Sequence, residues 1–244
     1  MKYTNYIFDL YGTLVDIHTN EKKIDLWRKF ANVLAMFGAE YEPKELRTCY
    51  KEMVKEEQDR LLKRYLEQGK KVRLSDIEIK LEFVFWRLLW QKGVQRDVSE
   101  VYDLAVFFRA LSLEKLTLFD GAKELLKNLK QAGKKIYLLS NAQRIFTEPE
   151  MKRLGIYDLF DGILYSSDTG FQKPSPYFYE ELFVHFSLQK EESVMIGNDR
   201  FADAGGAEQF GIDSMYIETE QSTPFTGSLP KNCRKISSLA EVIA

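Results

Sequence analysis

The chain has 244 residues, of which 45% are hydrophobic and 30% charged, enough for one large core or a core with an accessory domain. A net charge of −2 gives no electrostatic reason to expect nucleic acid as a partner. The most apolar stretch, residues 83–90, is interrupted by Arg87 and too short to cross a membrane. Cys49 and Cys233 fit neither a metal spacing nor a disulfide framework. With opening residues that carry no apolar signal region, they are expected to be reduced thiols of a cytoplasmic protein.

Tyr6, Ile7 and Phe8 form an apolar run that ends in Asp9 and is followed closely by Gly12. Such a run reads as a buried parallel strand with a tight turn at its carboxyl end. Residues 16–116 then read almost wholly as helix. Ile24, Trp27, Phe30, Leu34 and Phe37 recur at helical spacing up to Gly38. Pro43 stands where a first helical residue would be, and Leu46, Tyr50, Met53, Leu61, Leu62 and Tyr65 continue the stripe to Gly69. Ser75-Asp76-Ile77-Glu78 is the pattern of a capping box and is expected to open a third helix, rich in aromatics, that closes at Gly93. Residues 98–110 form a fourth. Four antiparallel helices with short links predict a bundle, with the aromatic stripe as its core rather than a cofactor box.

After Leu116 the pattern alternates. Helices are expected at residues 122–132, 148–154, 175–186 and 201–210. Strands are expected at 135–139, 162–165, 193–196 and 215–217, with an edge strand at 234–236 and a last short helix capped by Ser238. The fold class that follows is α/β. A doubly wound, Rossmann-like parallel sheet is built from residues 1–15 and 117–244, with an all-helical cap domain inserted at 16–116. The links near 15–19 and 113–118 lack regular pattern and are expected to form a hinge, with the active site between the two bodies.

The strand ends collect Asp9, Ser140, Asn198 and Asp199, and the loop Lys173-Pro174 joins them. Ligands of open parallel sheets bind beyond the carboxyl ends of the strands. A carboxylate, a hydroxyl, an ammonium and a second acid converging there suit phosphoryl transfer through an aspartyl intermediate. Asp9 would attack, Mg²⁺ on oxygen ligands would neutralise charge, and Lys173 and Ser140 would bind the phosphoryl oxygens. Singly, Ser140 reads as a strand-end cap, Lys173-Pro174 as a surface turn and Asp203 as a first-turn acid; their order along an alternating fold is what carries weight.

That order resembles the haloacid dehalogenase superfamily of hydrolases. Asp9-Leu10-Tyr11-Gly12-Thr13 is similar to its first motif, Leu139-Ser140-Asn141 to its second and Lys173-Pro174 to its third. The run from Gly197 through Asn198, Asp199 and Asp203 to Ala207 is similar to its fourth. The resemblance covers residues 1–15 and 118–217, and the helical insertion sits where this family carries its first type of cap. It implies catalytic roles for Asp9, Tyr11 and Lys173 and phosphate contacts from Thr13, Ser140, Asn141 and Lys173. Mg²⁺ would be held by Asp9, the Tyr11 carbonyl and Asp199, with Asn198 and Asp203 as alternative ligands or supports.

Two departures follow from that resemblance. Family phosphatases carry a second Asp where this chain has Tyr11, and a phenol with a reference pKa of ~10 is a poor base near neutrality. The Asp-Xaa-Tyr-Gly-Thr form is similar to the 2-haloacid dehalogenases, whose halide leaves without a proton. Asp199 and Asp203, in contrast, give a carboxylate load that suits Mg²⁺, which those dehalogenases do not use. The expected function is a Mg²⁺-dependent phosphatase acting on a small phosphorylated metabolite, with no nucleic-acid or membrane partner. The alternatives are a metal-independent 2-haloacid dehalogenase and a phosphate-binding or metabolite-binding homologue with little turnover. His18, in the hinge, is read as solvated, and His185, late on a helix, as non-catalytic.

Overall fold

The computed structural model describes residues 2–243. Strand β1 (Asn5–Phe8) leads to β2 (Val15–Thr19), and helices α1 (Ile24–Met36), α2 (Pro43–Glu67), α3 (Leu81–Gln91) and α4 (Tyr102–Ser112) follow. The chain returns through β3 (Leu113–Leu118) to α5 (Ala122–Gln131), β4 (Lys135–Ser140), α6 (Arg144–Leu154), β5 (Gly162–Tyr165), α7 (Ser166–Thr169) and α8 (Pro176–Phe186). It closes with β6 (Ser193–Gly197), a π-helical turn Arg200–Gly205, α9 (Gly206–Phe210), β7 (Asp213–Ile217) and β8 (Cys233–Ile236).

Six strands form one parallel sheet in the order β5-β4-β1-β6-β7-β8. Phe8 stands level with Leu138 of β4 and Ile196 of β6, so Asp9, Ser140 and Asn198 emerge from adjacent strands at the same edge. From β1 the chain builds β4 and then β5 on one side and crosses back to place β6 on the other side of β1, which is the switch point where such sheets open a crevice. Alternation explains the unbroken apolar runs. Tyr6 and Phe8 pack with Leu125, Leu126 and Leu129 of α5 on one face, whereas Ile7 packs with Phe178, Leu182 and Phe183 of α8 on the other.

The expected aromatic bundle core is present. Trp27, Phe30, Tyr50, Phe85 and Phe108 form one buried cluster, with Phe30 and Phe108 rings edge-on at 5.1 Å. Ile145 and Phe146 of α6 belong to the same cluster, so the four helices share their core with the sheet's flanking layer.

Several local expectations are corrected. The links thought to lack pattern are paired strands: β2 and β3 form an antiparallel ribbon, with a register shift at His18/Thr19. Their alternating side chains find a partner only across the whole insertion, and a two-stranded ribbon is stable only when packed. The capping-box motif does not open α3. Ile77 is extended and bridges to Phe171, and the Glu78 carboxylate turns to Ser166 and Gln143, so the helix starts at Leu81. Helix α6 begins at Arg144, before its internal Pro149, and the helix expected over 201–210 is a π-turn followed by a short α-helix. The strand expected at 162–165 runs directly into a turn of helix, Ser166–Thr169.

Candidate active site

Asp9 follows β1, and its main-chain N–H donates to Ile196 O at 2.9 Å, holding it beside the end of β6. The turn after it needs Gly12, whose φ is +84° and whose missing Cβ leaves room for the Asn198 amide, 2.3 Å from where that atom would stand. Gly197 serves in the same way, because a Cβ there would collide with the Asp203 carboxylate.

The Lys173 ammonium lies between two carboxylates, 2.7 Å from Asp9 Oδ1 and 2.7 Å from Asp203 Oδ1. All three are buried, with Asp9 at 7% exposure, Lys173 at 3% and Asp203 at 2%. Burial pulls the lysine pKa down, but Asp203 and Asp9 outweigh it, and the net shift is upward. Burial acts on Asp203 in the opposite sense, and Lys173 only partly offsets it, so that carboxyl is pushed up to about 7. Asn141 clamps the lysine main chain, accepting from Lys173 N at 2.7 Å and donating to Lys173 O at 3.0 Å. The Lys173–Pro174 peptide is cis.

Thr13 Oγ1 lies 3.3 Å from Asp9 Oδ2 and 3.2 Å from Asn198 Oδ1, so its single proton is shared between them. Asp199 Oδ1 accepts from the Phe201 and Ala202 amides at 2.8 Å each, capping the π-turn, and no group among the described residues bonds to Oδ2. Asp203 Oδ2 accepts from Asp199 N at 2.9 Å. A π-turn at a functional edge is a recurring device; here it brings Asp203 inward beneath the lysine.

These side chains line one cavity of about 190 Å³ bounded by Asp9, Tyr11, Ser140, Asn141, Lys173, Asn198, Asp199, Ala202, Asp203 and Gln221. Asp9, Tyr11, Ser140, Asn141, Lys173, Asn198, Asp199 and Asp203, all given a site role in the sequence, thus line it, and Thr13 lies against it through its contact with Asp9. Its volume is below the ~300–1,000 Å³ usual for drug-sized ligands, so it suits a small group.

The donors fit Mg²⁺. They are oxygens, and no group of three or more His, Cys, Asp or Glu among the described residues is arranged to hold a metal. Mg²⁺ characteristically takes one or two carboxylates and completes its shell with water and phosphate oxygens. Asp9 and Asp199 would be the two carboxylates, with Asn198 and the Tyr11 carbonyl as neutral candidates.

Tyr11 points its hydroxyl elsewhere. The phenol donates to Glu150 Oε2 on α6 and lies 3.0 Å from Thr147 Oγ1. Glu150 is paired in turn with Arg109 of α4, at 2.5 Å to Nε. Burial, followed by the Glu150 charge, pushes the phenol further above its ordinary range. Sequence reasoning missed Glu150, Arg109 and Thr147, which look like solvated helix positions until α4 and α6 meet. It missed Gln221 as well, in a loop without periodicity; its amide donates to Asp16 Oδ1 at 2.6 Å and to Ile17 O at 3.0 Å. His18 is exposed, 3.7 Å from Asp16, and His185 is exposed against Phe186. Neither lines the cavity.

Comparison with known proteins places this geometry in a family. Ribulose-1,5-bisphosphate 5-phosphatase of Halopiger xanaduensis is 29% identical over 116 residues, 48% of each chain, so the match spans about half the length of that relative. Putative HAD-hydrolase YfnB of Bacillus subtilis is 26% identical over 182 residues, 74% of each chain. Its magnesium-bound crystal structure superposes with a TM-score of 0.55 at 22% identity, covering 99% of this chain and 97% of that one. A 2-haloacid dehalogenase from Pseudomonas syringae pv. Tomato DC3000 superposes with a TM-score of 0.64 at 18% identity, over 99% and 96% of the two chains. The family model for haloacid dehalogenase-like hydrolases matches residues 3–211, most of the sheet and all of the helical insertion, and the chain belongs to that family of hydrolases.

Proposed function

We propose that the chain is a Mg²⁺-dependent phosphatase that cleaves small phosphate monoesters through an aspartyl-phosphate. The observation that carries this reading is the Lys173 ammonium held at 2.7 Å from both Asp9 and Asp203, in a cavity that also contains Asp199 with an unbonded oxygen. An anionic nucleophile must meet an anionic phosphoryl group there, and a fixed ammonium lowers that repulsion.

In this reading an Asp9 oxygen forms a bond to phosphorus, the phosphorus–oxygen bond to the alcohol breaks, and the leaving oxygen takes its proton from water. Water then attacks phosphorus, phosphate departs and the Asp9 carboxylate is regenerated. Lys173 and Ser140 hold the phosphoryl oxygens, Asn141 keeps the lysine in place, and Thr13 orients Asp9. Bound Mg²⁺, on Asp9, Asp199 and the Tyr11 carbonyl, would neutralise charge between the carboxylates and the phosphoryl group. Among the described residues no helix is long and apolar enough to cross a membrane.

A second reading, metal-independent dehalogenation with Asp9 as nucleophile, is favoured by one observation. No carboxyl group stands at Tyr11, and a halide needs no proton. The two separate in one experiment. Phosphate monoesters and 2-haloacids are assayed with Mg²⁺ and with chelator. Ester hydrolysis lost on chelation supports the phosphatase; chelator-resistant release of halide replaces it with the dehalogenase. No turnover of either class leaves a binding protein.

A further inference from the structure

The segment between α2 and α3 does more than link two helices. It crosses to the sheet and pairs with the residues just before Lys173. Glu78 N donates to Gly170 O at 3.0 Å, Gln172 N donates to Asp76 O at 3.0 Å, and Ile77 bridges antiparallel to Phe171. The Gln172 amide side chain reaches back to two main-chain carbonyls of the segment, Ser75 O at 3.0 Å and Ile77 O at 3.3 Å. At the end of α2, Tyr65 stacks on Phe171 with ring centroids 4.5 Å apart and donates its hydroxyl to Thr169 O at 3.1 Å. Gly170 has φ +81°, and a Cβ there would stand 2.3 Å from the Tyr65 oxygen, so this approach requires glycine.

The same contacts run under the site. Val72 and Ile77 are buried with Phe171 and Tyr179 in the cluster beneath the sheet edge. The Tyr179 hydroxyl bonds to the main-chain carbonyls of Ala202 and Asp203. Both partners of the Lys173–Asp203 pair are thus braced by one apolar cluster that the insertion helps to build.

We propose that residues 69–80 form a positioning strap for Lys173: by pairing with the main chain of Gly170–Gln172 they fix where the ammonium stands relative to Asp9 and Asp203. Tyr65 and Gln172 are then positioning residues, since neither lines the cavity. The insertion is joined to the sheet at the β2–β3 ribbon and again here, so it cannot swing away from the sheet without disturbing the lysine loop. A shift of about 1 Å in a catalytic group can cost on the order of a hundredfold in rate, which makes such a strap a means of coupling the insertion to turnover. The catalytic part of this inference rests on the proposed role of Lys173; the positioning part does not.

Gln172→Met removes the two side-chain bonds to the strap and keeps the bulk of the side chain. Tyr65→Phe removes only the bond to Thr169. Each variant and the native protein are acetylated with limiting acetic anhydride, and Lys173 is read by mass spectrometry against Lys235, an exposed lysine paired with Glu218. Because Lys173 is buried, its labelling reports opening of the loop. In Gln172→Met the Lys173:Lys235 ratio should rise about tenfold, with a smaller rise in Tyr65→Phe. Turnover of p-nitrophenyl phosphate should fall by a similar factor in kcat with little change in KM, the signature of lost positioning rather than lost binding. Native labelling of Lys173 in both variants overturns the strap. Raised labelling with unchanged kcat removes its link to turnover. Raised labelling in a protein that never hydrolyses a phosphate ester leaves the strap standing and removes the phosphatase reading instead.

Discussion

Replacing Tyr11 tests where the proton in the reaction comes from. In Tyr11→Phe the ring stays against the sheet cluster and only the hydroxyl is lost. That hydroxyl donates to the Glu150 carboxylate, which keeps Arg109 through two bonds at 2.5 and 3.3 Å. A hydrogen bond to a charged group is worth about 1.5–3 kcal/mol, and a carboxylate that stays paired puts the loss near the lower end. For a chain of this length the melting temperature should fall by roughly 3–6 °C. The rate should hardly change, because the hydroxyl faces α6 and burial holds its pKa above the ordinary range. On an aryl phosphate kcat should stay within about twofold, since that leaving group needs no proton. The native enzyme should be slow on alkyl phosphates, which lack the ~10²–10⁴-fold of general-acid assistance. Tyr11→Asp supplies a carboxyl and should raise the alkyl rate, but it removes a packed ring at a cost of about 3–5 kcal/mol, so it must be assayed well below its lowered melting temperature. The assay is steady-state turnover of one alkyl and one aryl phosphate by all three proteins, with melting followed in parallel. A fall of more than about tenfold in the aryl rate of a folded Tyr11→Phe protein would place the phenol at the reacting atoms and refute the argument.

Asp9→Asn cannot form the acyl phosphate, and turnover should drop below a few per cent of native while the circular dichroism spectrum is unchanged. Calorimetric titration should show one Mg²⁺ per chain, and Asp199→Ala should weaken it at least about tenfold; unchanged affinity would move the ligand to Asn198 or Asp203. Arg109→Met leaves Glu150 buried without its cation and should cost about 3–5 kcal/mol in urea unfolding, most of it recovered when Glu150→Gln is added. Glu78 is half-buried against Ser166 and Gln143, and desolvation raises its pKa. A carboxyl raised in the folded state gives stability that is full below its unfolded pKa and is lost as pH rises through the folded one. Glu78→Gln lacks that loss, so its melting temperature should gain on the native protein as pH rises above about 4, and a constant difference would count against the assignment.

What was legible in the sequence had a local cause. Tyr6-Ile7-Phe8 reads as a two-sided strand because both sheet faces are covered, and Gly12 reads as a tight turn because the backbone there takes a φ of +84°. The site could be assembled from strand ends alone, since a parallel sheet delivers its carboxyl ends to one edge. What was not legible had a distant cause. Val15 and Ile17 do alternate with Asp16 and His18, but their partners lie in β3, about a hundred residues on. Glu78 ends a genuine capping-box pattern, yet three acceptor contacts, including those from Ser166 and Gln143, take its carboxylate away from any helix start. Hydrophobic spacing does not distinguish a π-turn from an α-helix at 200–205, and no local signal says that the Tyr11 phenol will be consumed by Glu150.

The same distant contacts bear on how such a site would work. The sequence predicts a hinge at residues 15–19 and 113–118, with the site between two bodies. Around that position the protein has a paired ribbon, a strap on the lysine loop, a hydrophobic cluster shared between α6 and the insertion, and a buried Arg109–Glu150 pair between α4 and α6. Parting the two bodies as rigid units would expose that cluster and leave charges unpaired, each at several kcal/mol. Entry through a small displacement near the 190 Å³ cavity is much less costly, and a cavity of that size suits a small reacting group. In the phosphatase reading, specificity would rest on what fits between Tyr11, Asn141 and Gln221, and on whether the group that leaves can do so without a proton.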